Sequence, residues 1–468
     1  MIQIPSVTRL GFICFFILTN IFIQAITLAQ GYSNNSLLKV DNKSNEQELL
    51  ARRANWQAKF KTITLPSGLI GKKVTSIEPD SPLVMAGIKV EDVVVKINNV
   101  QISSNEHWYD ISDALVGDVG YRITYQRKGV NADTTAVFTP LPIEQFENVS
   151  VSYSTVENPA GFLQRVIITR PKVSLTDNNK LPAIFFLQGL SCSSIEVLPH
   201  RKSNYVRLIK EIVEYSNMVV MRVEKPGLGD SEGDCSQTDF DTELNGYEQA
   251  FQALARLPFV NKDKILIYGN SMGSAIAPYI ANKYQGNAVI AGGTFFRSWF
   301  EHMLEIERRI LAMKGKSQNE ITKVMNEAYI PLYYGMLVEK KSYQELISAN
   351  TELAEYNYHG PLHMYGRPMS YYHQLQDFDF AGQWQKLTVP TYLRWGTNDW
   401  IMSEADNDMI VDVLKASGNK KVKLYKYPGL DHWSTVHDSA THSFLGKQGQ
   451  WQKQISQQIV DWANEINR

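Results

Sequence analysis

The segment from Lys264 to Gly273 constrains the fold of this chain more than any other. Lys264 to Tyr268 is a short, mostly apolar run of the length typical of a buried strand. Gly269-Asn270-Ser271-Met272-Gly273 follows it directly, and a helix is predicted from Met272 onward. A strand that turns sharply into a helix projects the intervening serine at the helix N-terminus, where N–H groups favour developing negative charge. A chance turn serine is the alternative interpretation.

Strands and helices alternate on both sides of this segment, from about Val149 onward. Strands are predicted at Ser150–Ser154, Phe162–Thr169, Ala183–Leu187, Val219–Val223, Ile265–Tyr268, Val289–Gly292, Thr391–Arg394 and Val422–Tyr425. Helices are predicted between most of them, including Asn204–Glu214, Thr242–Ala255, Met272–Lys283 and Gln452–Ile466. This alternation predicts an α/β fold, in which a mostly parallel sheet is flanked by helices and the site lies at the carboxyl ends of the strands.

Residues 295–386 interrupt the alternation with a helical segment that is rich in aromatic side chains. A long insertion at the active edge of such a sheet is typical of a lid or cap. Its tyrosines and tryptophan favour an apolar or aromatic substrate, or else form the interior of the cap itself.

A serine hydroxyl is a weak nucleophile until a base takes its proton, and two later strand ends supply an acid and then a base. Asp399 ends the turn after the strand at Thr391–Arg394, and His432 ends the loop after the strand at Val422–Tyr425. His432 is therefore predicted to take the proton from Ser271, and Asp399 to fix the imidazole tautomer and stabilise the imidazolium.

Other acids and bases lie nearby in the sequence. Asp406 and Asp408 fall on the helix after Asp399, where we expect them to face solvent, and Asp431 adjoins His432. His437 and His442 are the alternatives for the base.

The order of serine, acid and histidine resembles that of the α/β-hydrolase superfamily over residues 149–468. Glu224–Gly233 adds to this resemblance, because it looks like the "R-G-x-G-x-S" loop of α/β-hydrolases and related serine aminopeptidases. The resemblance implies an oxyanion hole made by the backbone N–H groups of Met272 and Leu190. Many relatives have His-Gly where this chain has Gln188-Gly189, but a backbone donor does not need that histidine.

The residue pattern of 61–140 predicts a separate β-rich unit. It contains a short helix that is predicted to end at Gly87. The segments "SGLIG" and "SIEPDSPLVMAGIKVEDVVVKINN" resemble a bacterial PDZ domain, although Glu91 replaces its usual glycine. The resemblance implies that Gly68, Leu69 and Ile70 present N–H groups to the C-terminal carboxylate of a protein or peptide partner. A spacer or docking domain that binds no free peptide is the alternative.

The N-terminus predicts export. Arg9 precedes an apolar run that ends in small residues at Ala29, which favours a cleaved signal peptide at residues 1–29 over an uncleaved membrane anchor. Residues 30–60 are predicted to be a polar linker ending in a short helix. We therefore expect a periplasmic or secreted protein.

Cleavage at Ala29 would remove Cys14 and leave Cys192 and Cys235. Both fall on loops that the fold places at one edge of the sheet, so a disulfide between them is predicted in an oxidising compartment. Two buried free thiols are the alternative.

The net charge of −1 gives no electrostatic reason to expect a nucleic-acid partner. No sequence motif indicates a metal site or a cofactor. Three functions remain: hydrolysis of a small-molecule carboxylic ester, which we favour, hydrolysis of a peptide or amide, and a catalytically inactive binding protein. The catalytic residues alone do not separate the first two, because the acyl chemistry is shared.

Overall fold

The computed structural model describes residues 39–40, 50–172, 179–360 and 362–467. The predicted signal peptide lies outside the described residues, as does the predicted linker before residue 50, apart from residues 39–40. No helix within these ranges is long and apolar enough to cross a membrane.

The elements before residue 149 form mainly a small β-rich unit. In chain order they are β1 (Lys39–Val40), β2 (Ala54–Asn55), β3 (Ala58–Thr64), β4 (Ile70–Ile77), α1 (Pro82–Met85), β5 (Val93–Ile97), β6 (Val100–Gln101), α2 (Asn105–Ala114), β7 (Gly120–Arg127), β8 (Val130–Val137) and β9 (Thr139–Pro140). One sheet has the order β3-β4-β5-β7-β8, with β6 beside β5, and β2 pairs with β9. Val74, Val94, Ile123 and Phe138 lie at the centre of its core.

This unit begins before residue 61. The prediction of a short helix near residues 47–60 is wrong for those of its residues that the structure describes. Residues 54–55 and 58–64 are strands. Trp56, Ala58 and Phe60 all pack against the core of the unit. Alternate residues that face one side follow the two-residue period of a strand rather than the helical period.

The rest of the chain forms a large sheet with its helices. Its strands are β10 (Val149–Asn158), β11 (Phe162–Pro171), β12 (Leu181–Leu187), β13 (Val219–Val223), β14 (Val260–Asn270), β15 (Ala288–Gly292), β18 (Thr391–Gly396) and β19 (Val422–Tyr427), while β16 (His363–Met364) and β17 (Arg367–Pro368) form a separate hairpin. The helices are α3 (Asn204–Tyr215), α4 (Phe240–Arg256), α5 (Met272–Tyr284), α6 (Trp299–Met313), α7 (Gln318–Val324), α8 (Ile330–Tyr333), α9 (Tyr343–Ala349), α10 (Met369–Asp377), α11 (Phe380–Gln385), α12 (Glu404–Ala416), α13 (Ala440–Phe444) and α14 (Gln454–Asn467).

The sheet order is β1-β10-β11-β13-β12-β14-β15-β18-β19. The pairs from β13 to β19 are parallel, and β1, β10, β11 and β13 pair antiparallel. The predicted mostly parallel α/β sheet is therefore confirmed, and the carboxyl ends of β12, β14, β15, β18 and β19 share one edge.

Helices cover both faces of this sheet. Phe185 and Phe186 are consecutive in β12, so their side chains point to opposite faces. Phe185 packs on Phe251 of α4, and Phe186 packs on Tyr205 of α3. Strands buried on both sides explain why this part of the sequence reads as continuous apolar runs.

The insertion between β15 and β18 folds into a helical cap that runs from α6 to α11. Trp299, Tyr333, Tyr371 and Tyr372 are buried in it. Most of the aromatic side chains that could have indicated the substrate thus form the interior of the cap.

Arg52 ties the segment before the β-rich unit to the α/β domain. Its guanidinium is buried, bonds to Glu196 at 2.7 Å and to the Pro142 carbonyl at 2.8 Å, and also pairs with Asp230. Arg53 adds bonds of 2.6 Å to the carbonyls of Gly229 and Ser231. The contacts with Gly229, Asp230 and Ser231 lie on the loop that begins at Glu224, at the edge where the parallel strands end, whereas Glu196 belongs to the loop after β12.

We expect the Arg52→Met variant to lose about 3 kcal/mol of unfolding free energy, because it leaves buried carboxylates without this cation. Urea denaturation measures the loss. Arg122→Met is the matched control, since the Arg122–Asp133 pair has side chains that are 54% and 44% exposed and such pairs contribute less than about 1 kcal/mol. Equal losses in the two variants would contradict the structural role of Arg52.

Candidate active site

Ser271 occupies a strained turn between β14 and α5. Its φ of 55° and ψ of −127° are unusual for a residue with a side chain. A Cβ at Gly269 would lie 2.4 Å from the Gly273 carbonyl oxygen, and a Cβ at Gly273 would lie 2.2 Å from that of Leu187. Both flanking positions therefore require glycine, and this tight packing holds the serine hydroxyl at the strand end.

Ser271, His432 and Asp399 form a continuous hydrogen-bonded chain. His432 Nε2 lies 2.9 Å from Ser271 Oγ, and His432 Nδ1 lies 2.9 Å from Asp399 Oδ2. Asp399 Oδ1 accepts from the N–H groups of Ile401 at 2.9 Å and Met402 at 2.8 Å. Because an ionised carboxylate only accepts, Nδ1 carries the proton and Nε2 is free to accept the serine proton.

The pKa of His432 reflects two opposing effects. Burial lowers it, but the Asp399 carboxylate and its hydrogen bond outweigh burial and raise the pKa above its ordinary value of 6.5. The protonated form of His432 is thus stabilised by the neighbouring carboxylate in a side chain that is only 10% exposed.

The other candidate acids on this edge have separate partners. Asp406 is fully buried, contrary to the expectation that it faces solvent, and accepts from Arg297 Nε at 2.9 Å. Asp408 pairs with Lys426 at the surface.

The remaining alternatives also lie outside the chain of hydrogen bonds at Ser271. Asp431 accepts from Ser443 Oγ at 2.8 Å and faces His437 Nε2 at 3.2 Å. His442 Nδ1 lies 3.4 Å from Asp438. Asp431 and His437 brace the loop that carries His432.

The loop after β12 passes directly beside the serine. A Cβ at Gly189 would lie 3.1 Å from Ser271 Cβ, a tight contact that the glycine avoids where the backbone passes the serine. The N–H groups of Leu190 and Met272 have no acceptor within the described part of the chain. Both residues line the same cavity as Ser271.

Lys225 holds this loop from the side away from the cavity. Its Nζ donates to the carbonyl of Gly189 at 2.5 Å and of Leu190 at 3.0 Å. The ammonium is fully buried and lies 3.2 Å from Glu243, which also pairs with Arg367 of the cap hairpin. The sequence did not reveal this role, although a lysine inside a glycine-rich loop that follows a buried strand was the available signal.

A disulfide joins Cys192 to Cys235. Cys192 follows the loop after β12, and Cys235 follows the Glu224–Gly233 segment. Arg367 Nη1 donates to the Cys235 carbonyl at 2.6 Å. The bridge therefore connects two loops at the active edge with the hairpin of the cap.

A cavity of about 420 Å³ opens around Ser271. Its lining combines polar side chains, including Ser191, Ser193 and Ser203, with apolar ones, including Trp299, Ile306, Met402 and Trp433. The lining contains no Asp, Glu, Lys or Arg among the described residues. Within the same ranges no cluster of His, Cys, Asp or Glu could hold a metal ion.

The predicted peptide-binding residues lie in a hairpin turn of the β-rich unit. The Gly68 N–H donates to the Leu65 carbonyl at 2.8 Å, and the Leu65 N–H donates to the Leu69 carbonyl at 2.8 Å. Ile70 already pairs with Thr64 across the hairpin. The turn therefore uses the Gly68 N–H internally.

Comparison with known proteins identifies the relatives of the α/β domain. The family described as "Serine aminopeptidase, S33" matches residues 199–437, which is just over half of the chain. Esterase EstD of Thermotoga maritima is 23% identical over 200 residues, and the match spans 42% of each chain.

Solved structures with lower identity include an esterase from Pyrococcus furiosus (13% identity, 70% of this chain, 97% of that chain, TM-score 0.41). They also include Est1E from Butyrivibrio proteoclasticus with ferulic acid bound (15% identity, 67% of this chain, 98% of that chain, TM-score 0.43). From its family match, the chain belongs to the serine aminopeptidase S33 family of α/β-hydrolases.

Proposed function

We propose that this protein is a serine hydrolase that cleaves a carboxylic ester of a small, uncharged molecule through an acyl-enzyme on Ser271. The hydrogen-bonded chain Ser271–His432–Asp399 at the base of a cavity carries the proposal. A curated relative, EstD, is an esterase.

In the proposed reaction, Ser271 Oγ attacks the acyl carbonyl while His432 Nε2 takes its proton. The N–H groups of Met272 and Leu190 stabilise the resulting oxyanion. His432 then gives the proton to the departing alcohol, and an acyl-enzyme remains. A water molecule, deprotonated by His432, attacks the acyl group and releases the acid and Ser271.

The lining of the cavity favours an ester over the substrate of an aminopeptidase. Recognition of a free α-amino group needs a carboxylate or a similar acceptor of charge. None of the described lining residues is Asp or Glu, and a volume of about 420 Å³ suits a small molecule.

Export and a docking role for the β-rich unit complete the proposal. The Cys192–Cys235 disulfide is typical of an oxidising compartment such as the periplasm. We interpret the β-rich unit as a PDZ-like domain that Arg52 and Arg53 hold on the hydrolase. We favour a docking role over capture of a free peptide, because the Gly68 N–H already donates to the Leu65 carbonyl within the hairpin turn.

We expect wild-type protein to react with a fluorophosphonate probe and to hydrolyse p-nitrophenyl esters, and Ser271→Ala to lose both activities. Ser274→Ala is the matched control, because Ser274 Oγ donates to the carbonyls of Ser271 and Gly293 and takes no part in the proposed proton transfer. If folded wild-type protein neither reacts with the probe nor turns over any ester, the binding-protein interpretation replaces this one.

The raised pKa of His432 predicts the pH profile. The base must be neutral to accept the serine proton, so kcat/KM should rise with pH through a limb above 6.5. In Asp399→Asn the limb should move to lower pH, because the carboxylate that raises the pKa of His432 is gone. In the same variant kcat should fall by about 10³- to 10⁴-fold. Stopped assays from pH 5 to 9 measure the position of the limb. An unchanged limb in the variant would contradict the assignment of Asp399 as the acid.

Lys225→Met should lower kcat by about 10- to 100-fold, since the loop that carries the Leu190 donor loses its anchor and one oxyanion donor contributes about 10²- to 10³-fold. The pH limb should stay in place, because His432 and Asp399 are untouched. Lys283→Met, which removes a half-exposed lysine paired with Glu248, is the control. An unchanged kcat in folded Lys225→Met would show that the loop holds its position without the ammonium.

A further inference from the structure

Two polar side chains that line the cavity have no hydrogen-bond partner within the described ranges. Trp299 and His302 are 3% and 1% exposed. Neither Trp299 Nε1 nor either ring nitrogen of His302 has a hydrogen-bond acceptor or donor among the residues described. A buried polar group left unsatisfied costs about 1–3 kcal/mol, and each of these two residues lines the cavity that contains Ser271.

The two rings form one local feature of the cap. They stand on the first turn of α6, three residues apart, so they share a helix face. Their ring centroids are 5.1 Å apart, and Phe295 stacks on the His302 ring at 4.7 Å. The neighbouring rings hold the imidazole in place without using its hydrogen-bonding capacity.

His302 is an uncharged hydrogen-bonding group at ordinary pH. Burial is the largest effect and brings its pKa down to about 3, with Arg309 and His432 acting in the same direction and the Asp406 and Asp399 carboxylates opposing them. A neutral imidazole has one N–H donor and one acceptor nitrogen, and the Trp299 indole adds a donor. A hydroxyl satisfies this set well, since it can accept from the indole and donate to the imidazole.

We infer that Trp299 and His302 form a subsite for a hydroxyl group on the substrate and make the enzyme select hydroxylated esters over their deoxy counterparts. The inference rests on the proposed ester hydrolysis and specifies its substrate class: an uncharged ester with an apolar body and a hydroxyl. Other apolar lining residues, which include Ile306 of the cap and Met402 of the loop after β18, accommodate the apolar body. The absence of charged side chains from the described lining disfavours an ionised group at this place.

The test compares matched esters that differ by one hydroxyl. One series carries it in the acid, as p-nitrophenyl esters of 3-phenylpropanoic acid and its meta- and para-hydroxy derivatives. The other carries it in the alcohol, as phenethyl acetate and its ring-hydroxylated derivatives. We expect at least one hydroxylated ester to exceed its deoxy counterpart about tenfold in kcat/KM, as one net hydrogen bond allows.

Variants connect this preference to the two side chains. In His302→Leu the ratio of hydroxylated to deoxy kcat/KM should fall towards one, Trp299→Phe should reduce it, and His302→Gln should retain part of it. His373→Leu is the matched control within the cap, because the His373 ring bonds to the Met336 carbonyl at 3.0 Å and does not line the cavity. Its ratio should equal that of the wild type. Each ratio is taken within one protein, so a partly unfolded sample does not change it.

The inference is overturned if wild-type protein shows no preference in either series, or if the ratio is the same in His302→Leu as in the wild type. Failure of the proposed function gives a different result, namely folded protein that hydrolyses none of the esters. In that case calorimetric binding of the hydroxylated and deoxy acids to Ser271→Ala, with and without His302→Leu, measures the subsite directly. Equal affinities there would also refute it.

Discussion

The close packing of α5 against the end of β12 is the contact on which the site depends. Gly273 lies so near the Leu187 carbonyl that no side chain fits between them. This contact places the N-terminus of α5, with Met272, beside the loop that leaves β12, with Leu190. Two N–H groups from distant parts of the sequence thereby flank Ser271, and the strain of its backbone is stored in a region too tightly packed to relax.

A buried polar cluster supports that loop from behind. Lys225 donates to two of its carbonyls, Glu243 lies beside the ammonium, and Arg367 reaches Glu243 from the cap. Removing Glu243 would leave two buried cations without their shared carboxylate, which is costly at low dielectric. The cluster thus couples the position of the cap hairpin to the geometry of the loop. The Cys192–Cys235 bridge adds a covalent link between that loop and the segment that follows Gly233.

The sequence predicts those parts of the molecule that follow from the spacing of apolar residues and from the positions where strands end. The parallel sheet follows from apolar runs, and Ser271, Asp399 and His432 were candidates because each ends a predicted strand or its loop; the structure places the three in contact. The burial of Asp406 could not be predicted, because its partner Arg297 is remote in sequence. The role of Lys225 was also missed: its place inside a glycine-rich loop was a signal, but its acceptors are backbone carbonyls, which the residue types do not identify. The helix expected near residue 60 failed because packing of Trp56 and Phe60 on Trp108 decides the local conformation.

The position of the cavity mouth follows from exposure. Tyr365 and Trp433 line the cavity and are still 38% and 46% exposed, whereas Trp299 and His302 on the same lining are almost fully buried. Solvent therefore reaches the cavity near the cap hairpin, which carries Tyr365, and near the loop that carries His432 and Trp433. It also reaches the cavity near Ser191 and Ser193, which line it and are exposed. Under the proposed function, the part of the substrate that reaches α6 meets buried, uncharged polar groups from which it displaces water. In that water-poor interior each hydrogen bond discriminates more strongly than at the mouth, so the deep wall rather than the aromatic rim is the part of the site suited to selecting the substrate.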